Sequence, residues 1–121
     1  MSDIESLRKS LALSSEGLSS EDKKKMAVSA ITTILAALGR GVGTFGEWEQ
    51  RCLAASIIAL RASKYDDSRS LARRALWPEE NRRNSGVARL LLRPGMLTIP
   101  ELTRELKIAQ AMPSRRLQAA A

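Results

Sequence analysis

TFGEWEQRCLAASIIALRASKYDDSRSLARRALWP, residues 44–78, decides the fold. Thr44 with Glu47 reads as a capping box, which opens a helix running to about Ser63. Between Cys52 and Ala62 only Ser56 and Arg61 are polar, so this helix is apolar nearly all round. Such a helix must be covered on more than one side. It is therefore expected at the centre of the fold, with one face a candidate for receiving a partner. Tyr65-Asp-Asp then introduces a second helix, about Asp67 to Trp77, in which Leu71, Ala72, Ala75 and Leu76 form the inward stripe. Arg69, Arg73 and Arg74 take its wet side, and Pro78 ends it because proline disfavours a helical residue before it.

Working outward, the same punctuation recurs. Ser2 with Glu5 opens a short helix, Asp3 to Leu13, with Leu7 and Leu11 four apart on one face. Gly17 and its neighbouring serines end it. Ser19 with Asp22 caps a longer helix to Leu38, whose Ala27, Ile31, Ile34, Leu35 and Leu38 follow the helical period, and Gly39 is its expected stop. On the other side, Pro78-Glu-Glu starts a fifth segment carrying Val87, Ala88, Leu90, Leu91 and Leu92, halted by Arg93-Pro94-Gly95. Thr98 with Glu101, and Pro100 early in the helix, open a sixth, with Ile99, Leu102, Leu106 and Ala109 spaced three, four and three. Pro113 closes it. The expectation is an all-α chain, a single domain over 1–121, with about six helices in three antiparallel pairs. The pairs are 1–38, 47–78 and 79–112, separated by a Gly-rich loop at 39–46 and followed by a tail at 113–121.

Composition agrees with that reading and narrows the function. The chain has 121 residues, enough for one core, and 44% are apolar. Its aromatics are Phe45, Trp48, Tyr65 and Trp77, so the core must be aliphatic, which suits helix packing. Cys52 is the one cysteine, which excludes an internal disulfide and fits a reducing compartment. Met1 to Ser10 carries Asp3 and Glu5 and does not read as a signal peptide. No run is apolar enough for a membrane span, so the expected location is cytoplasmic. Residues 1–60 hold seven Lys/Arg and seven Asp/Glu, whereas residues 61–121 hold thirteen against six and carry the whole net charge of +7. A basic half implies acidic partners, protein or nucleic acid, unless the arginines are simply solvated helix faces.

Catalytic chemistry is largely excluded. The chain has no histidine, which removes the usual general base, the Ser-His and Cys-His pairs and the commonest zinc ligand. Cys52 lies in an apolar run where a thiol resists ionisation. Asp66-Asp67 and Glu79-Glu80 sit at helix starts, where the helix dipole favours negative charge without any catalytic role. Gly41-x-Gly43-x-x-Gly46 matches a dinucleotide-binding pattern in form, but a helix precedes it where a strand is required, so it reads as a turn between helix pairs. No cofactor, metal site or enzymatic activity is expected.

The joint at 63–78 resembles one tetratricopeptide unit. Ser63-Lys-Tyr65-Asp-Asp-Ser68 supplies the turn, with Ser63 at a position where glycine is common. Ser68 and Ala75 are the small residues that let the helix axes approach, Tyr65 fills the bend, and Trp77-Pro78 closes the pair. A single pair cannot bury its own face, so the flanking pairs are expected to stack on it in a right-handed array. The chain is further similar to the tetratricopeptide-like subunit of the heterodimeric needle-protein chaperones of bacterial type III secretion. This likeness rests on Leu11-Ala-Leu13 before a polar joint, the Leu38-Gly39 stop, Tyr65 thirteen residues before Pro78, Trp77, and Leu102-x-Arg104-x-Leu106 leading towards Pro113. It implies a bacterial virulence protein that buries the amphipathic C-terminal helix of a needle subunit and so prevents premature polymerisation, with a small helical co-chaperone on its N-terminal helices. In physical terms this is helix-in-groove recognition. The first helices of the pairs would line the groove, which points to Leu53, Ile57, Leu60, Val87 and Leu91, with Arg61, Arg89 and Arg93 as rim charges; all five apolar residues could equally be core.

Residues 98–117 also look like a helix-turn-helix. Leu102, Leu106, Ile108 and Leu117 fall near the apolar positions, and Ser114-Arg-Arg could face a duplex. Against it, Lys107 stands where the turn usually wants glycine, and Pro113 would lie inside the recognition helix.

Overall fold

The computed structural model describes residues 3–78 and 97–113. Those residues form five helices and no strand: α1 (Asp3–Ser10), α2 (Ser20–Gly39), α3 (Glu47–Arg61), α4 (Tyr65–Arg74) and α5 (Ile99–Ala111). The fifth segment read from the sequence, with Val87, Arg89, Leu91 and Arg93, lies outside the described residues.

Helix ends follow local chemistry, with several shifts from the sequence expectation. Ser19 Oγ accepts from the Asp22 amide at 3.2 Å, opening α2 where anticipated. At its other end Gly39 is still helical, and the chain reverses at Gly41 instead, where φ is +87°. The Val42 amide reaches back to Ala37 O (3.0 Å) and the Gly41 amide to Leu38 O (3.1 Å). This is the paired bonding of a Schellman stop, for which glycine in the left-handed region is best suited. α3 is capped at Gly46 rather than Thr44, with the Glu49 carboxylate accepting from the Gly46 amide at 2.8 Å.

The α3–α4 joint repeats the Schellman pattern without a glycine. Ser63 has φ +61°, Lys64 N bonds Ala59 O at 2.9 Å, and Ser63 N bonds Leu60 O at 3.1 Å. α4 starts at Tyr65, two residues earlier than expected, and gives way after Arg74 to tighter i→i+3 bonds through Trp77. Thr98 and Glu101 form the reciprocal capping box of α5. α5 then runs unbroken through Lys107 to Ala111. The described part of 98–117 is therefore one helix with no turn at Lys107, and residues 114–117 lie outside the described residues.

The core gathers Ala27, Ile31, Ile34, Leu35 and Leu38 of α2, Cys52, Leu53, Ile57 and Leu60 of α3, Tyr65 and Ala72 of α4, and Leu102, Leu106 and Ala109 of α5. α3 and α4 pack as a hairpin; α2 lies mainly on α4, and α5 bridges α2 and α3. α3 thus meets α2, α4 and α5, as its nearly all-apolar perimeter requires. α1 differs from the rest. It shares no extensive face with any helix and contains no fully buried residue. Residues 3–16 instead run antiparallel to α4, tied at three stations: Arg8 Nε donates to Leu76 O (2.6 Å), Arg69 Nη2 to Leu11 O (2.9 Å) and Leu13 O, and Ser15 Oγ to Asp66 Oδ1 (2.8 Å).

Candidate functional site

Sequence reasoning singled out one face of α3, and the structure places its three described apolar residues in the core. Leu53, Ile57 and Leu60 are 0%, 3% and 2% exposed and belong to the same buried cluster as Ile31, Ile34, Leu102 and Leu106. They line no open groove, because α2 and α5 already occupy that side of α3. Arg61 is exposed and pairs with Glu105 of α5 at 3.4 Å, so it joins two helices of this chain.

The residues proposed to pack the helical repeat cluster at the α3–α4 contact. Ser68 is fully buried opposite Ser56: Ser68 Oγ donates to Ser56 O at 2.7 Å and Ser56 Oγ to Ser68 O at 2.5 Å. Each hydroxyl thus spends its proton on the facing backbone, which is possible only where the axes come very close. Tyr65 and Ala75 are buried, and Trp77 and Pro78 are half-buried. The Arg74 guanidinium lies over the Trp77 ring, 5.3 Å from its centroid, and its buried Nε has no hydrogen-bond partner among the described residues. Trp48 Nε1 donates to Arg74 O at 2.7 Å, tying the start of α3 to the end of α4.

Among the described residues no helix covers the opposite side of the hairpin. A cleft of about 450 Å³ runs between the outer faces of α3 and α4. It is lined by Ala55, Ile58, Ala59, Ala62 and Leu71 together with the exposed Lys64, Asp67 and Ser70 and the half-buried Arg74. Ile58 is 42% exposed, unusual for a β-branched side chain in the middle of a central helix. Ala55, Ala59 and Ala62 are spaced four and three, so they form one strip of α3 where small side chains leave a furrow. That spacing was present in the sequence. With Ser56 and Arg61 the sole polar residues between Cys52 and Ala62, the pattern alone does not tell the inward faces of this run from its outward one.

Charge around the hairpin is mixed and hydrogen-bonded. The Asp66 carboxyl is held below its usual range, first by the Ser15 hydroxyl and then by Lys23, whose Nζ lies 3.1 Å away. Arg69 is only 8% exposed, and burial, with Arg73 nearby, lowers its pKa from the usual guanidinium value. Among the described residues no group of His, Cys, Asp and Glu could hold a metal ion, and no helix is long and apolar enough to cross a membrane. The glycine pattern at 41–46 forms the stop of α2 and the start of α3, with no strand before it. No protein-family model, no curated protein and no solved structure matches this chain.

Proposed function

We propose that this chain is a non-enzymatic binding module that holds an amphipathic helix of a partner in the α3–α4 cleft. In this reading it is a cytosolic chaperone that keeps a type III secretion needle subunit from polymerising, assisted by a small helical co-chaperone. The observation that carries the proposal is the cleft beside the exposed Ile58, with the buried Ala55 and Ala59 and the half-buried Ala62 beneath it. A furrow between two helices accepts the ridge of a third, and apolar anchors supply affinity while the flanking Lys64, Asp67 and Arg74 set register. The groove of this reading is on the face of α3 opposite the one that the resemblance suggested.

Co-expression with a type III secretion needle subunit tests the assignment. A needle subunit should co-purify with the chain, and Ile58→Asp should abolish its capture while leaving the far-ultraviolet helical signal unchanged. Ile57→Asp, one residue along but 3% exposed, should instead unfold the protein, because an unpaired charge in the core is strongly destabilising. Capture that survives Ile58→Asp would remove the cleft from the mechanism.

A further inference from the structure

The strap formed by residues 3–16 covers a surface that could bind something else. We propose that α1 is a replaceable occupant of a second helix-binding groove, and that the partner replacing it is an acidic amphipathic helix with the apolar spacing of Ile4, Leu7 and Leu11. This goes beyond the α3–α4 cleft and stands whether or not that cleft holds a helix.

Three observations support it. First, α1 is weakly held. It has eight residues, none fully buried, and a helix of that length has little stability of its own. Its apolar side chains Ile4, Leu7 and Leu11 rest against the core only in part.

Second, α1 does not fill its seat. Two hollows flank it. One, of about 250 Å³, lies between Ile4 and Arg8 on one side and Leu38, Glu49, Ala75, Leu76 and Trp77 on the other. The second, of about 240 Å³, lies among Arg8, Leu11, Arg73, Leu76, Trp77 and Pro78. Each could take side-chain bulk that α1 does not supply, and filling such space adds contacts that α1 forgoes. A helix with larger residues at the same spacing would therefore fit better than α1 does.

Third, the part of the seat along Arg69 and the second hollow presents arginines, whereas carboxylates lie to either side of it, Glu49 in the first hollow and Asp66 beside Ser15. The Arg69 guanidinium is satisfied by the Leu11 and Leu13 carbonyls of the strap, so departure of the strap strips it of both. Arg73 is exposed and lines the second hollow, whose lining contains no carboxylate among the described residues. Side-chain carboxylates on an incoming helix would replace neutral carbonyl acceptors with charged ones, and charge-assisted bonds are about twice as strong. That preference is what makes the fitting partner acidic.

The test uses the full chain and a synthetic peptide of residues 2–13 carrying Leu7→Phe, Arg8→Glu and Leu11→Phe. Hydrogen exchange should show the amides of α1 opening well before those of α2, α3 and α4, and added peptide should speed exchange in α1 alone. Because apparent affinity scales with the fraction of open seat, Leu7→Ala in the chain should tighten peptide binding about fivefold or more. Arg8→Gln, which removes only the bond to Leu76 O, should act in the same direction and serves if Leu7→Ala disturbs folding. Restoring neutrality in the peptide with Gln in place of Glu at its seventh residue should weaken binding to the wild-type chain but not to Arg73→Ala. Ile58→Asp should leave peptide binding unchanged, which separates this groove from the α3–α4 cleft. Exchange of α1 only together with the rest of the bundle would overturn the proposal. So would a peptide that binds the loosened chains no better than wild type, or one that binds neither at about 1 mM.

Discussion

Replacing Ser68 tests the close approach of α3 and α4. The side chain is fully buried, with its Oγ 2.7 Å from Ser56 O and 3.2 Å from Ser56 Oγ. Ser68→Ala removes one hydrogen bond but orphans nothing that needs a partner, since Ser56 lies inside α3 and its hydroxyl still donates to Ser68 O. The cost should be about 1 kcal/mol, the usual net value of an intramolecular hydrogen bond. Ser68→Leu loses the same bond and must also place two more heavy atoms where a backbone oxygen already sits. Overpacking of a tight core adds about 1–3 kcal/mol, so the total should be roughly 2–4 kcal/mol. That is a large share of the roughly 5–15 kcal/mol that a domain possesses. Urea denaturation followed at 222 nm reads both changes. With a slope near 1 kcal/mol/M, the midpoint should fall by about 1 M for alanine and at least about 2 M for leucine. If leucine shifted stability by less than about 0.5 kcal/mol, within the range of ordinary surface substitutions, the α3–α4 axes could not be as close as described, and the small-residue argument for the hairpin would fail.

Three further outcomes follow from the same structure. Ser63 sits at φ +61°, where a non-glycine residue is strained by about 1 kcal/mol; Ser63→Gly should raise the denaturation midpoint, and the β-branched Ser63→Val should lower it. The Asp66 and Glu101 carboxyls are both held below their usual values, by the Ser15 hydroxyl foremost for Asp66 and by bonds from Thr98 for Glu101. Depressed carboxylates contribute stability that is complete above the unfolded-state pKa of about 4 and is lost as pH falls through the folded value. Thermal stability should therefore be flat above about pH 5 and decline below pH 4, with a shallower acid limb in the Asp66→Asn, Glu101→Gln double variant. Finally, α5 continues through Lys107 as one helix, so the purified chain should show no sequence-specific duplex retention. Any residual binding from the net charge of +7 should vanish steeply with added salt, whereas a specific complex that persisted would restore the DNA-binding reading.

Much of the helical layout was legible because its signals are local. Ser19 with Asp22, and Thr98 with Glu101, are side-chain-to-backbone bonds spanning three residues, and both form where the residue types indicated. The errors lie where a neighbour decides. Gly39 and Gly41 are equally suited to end α2, and the choice of Gly41 depends on which carbonyl the following amides reach. Leu53, Ile57 and Leu60 carry the periodicity of a buried stripe, but periodicity cannot say whether the covering helix belongs to this chain or to a partner. Here α2 and α5 cover them. The path of the strap was illegible for a related reason: Arg69 reads as a wet residue of α4 by charge, yet it is buried because main-chain carbonyls of a segment more than fifty residues earlier in the chain converge on it.

The furrow on α3 also distinguishes the kind of ligand it could hold. A small-molecule site concentrates a few polar groups at fixed positions around an enclosed apolar pocket, which fixes the orientation of the guest. The α3–α4 cleft has exposed polar groups, Lys64, Asp67 and Ser70, beside an apolar lining of Ala55, Ile58, Ala59, Ala62 and Leu71. A guest there would be anchored along a line, not around a point, and a line of small residues at helical spacing is complementary to another helix. Burying Ile58 in such a complex would remove from water a side chain whose full burial is worth about 1.5–3 kcal/mol, of which 42% exposure leaves a part still to be gained. Among the described residues α2, α4 and α5 cover three sides of the nearly all-apolar α3, and Ile58 stays exposed on the fourth, which is the side that the proposed reading assigns to a partner helix.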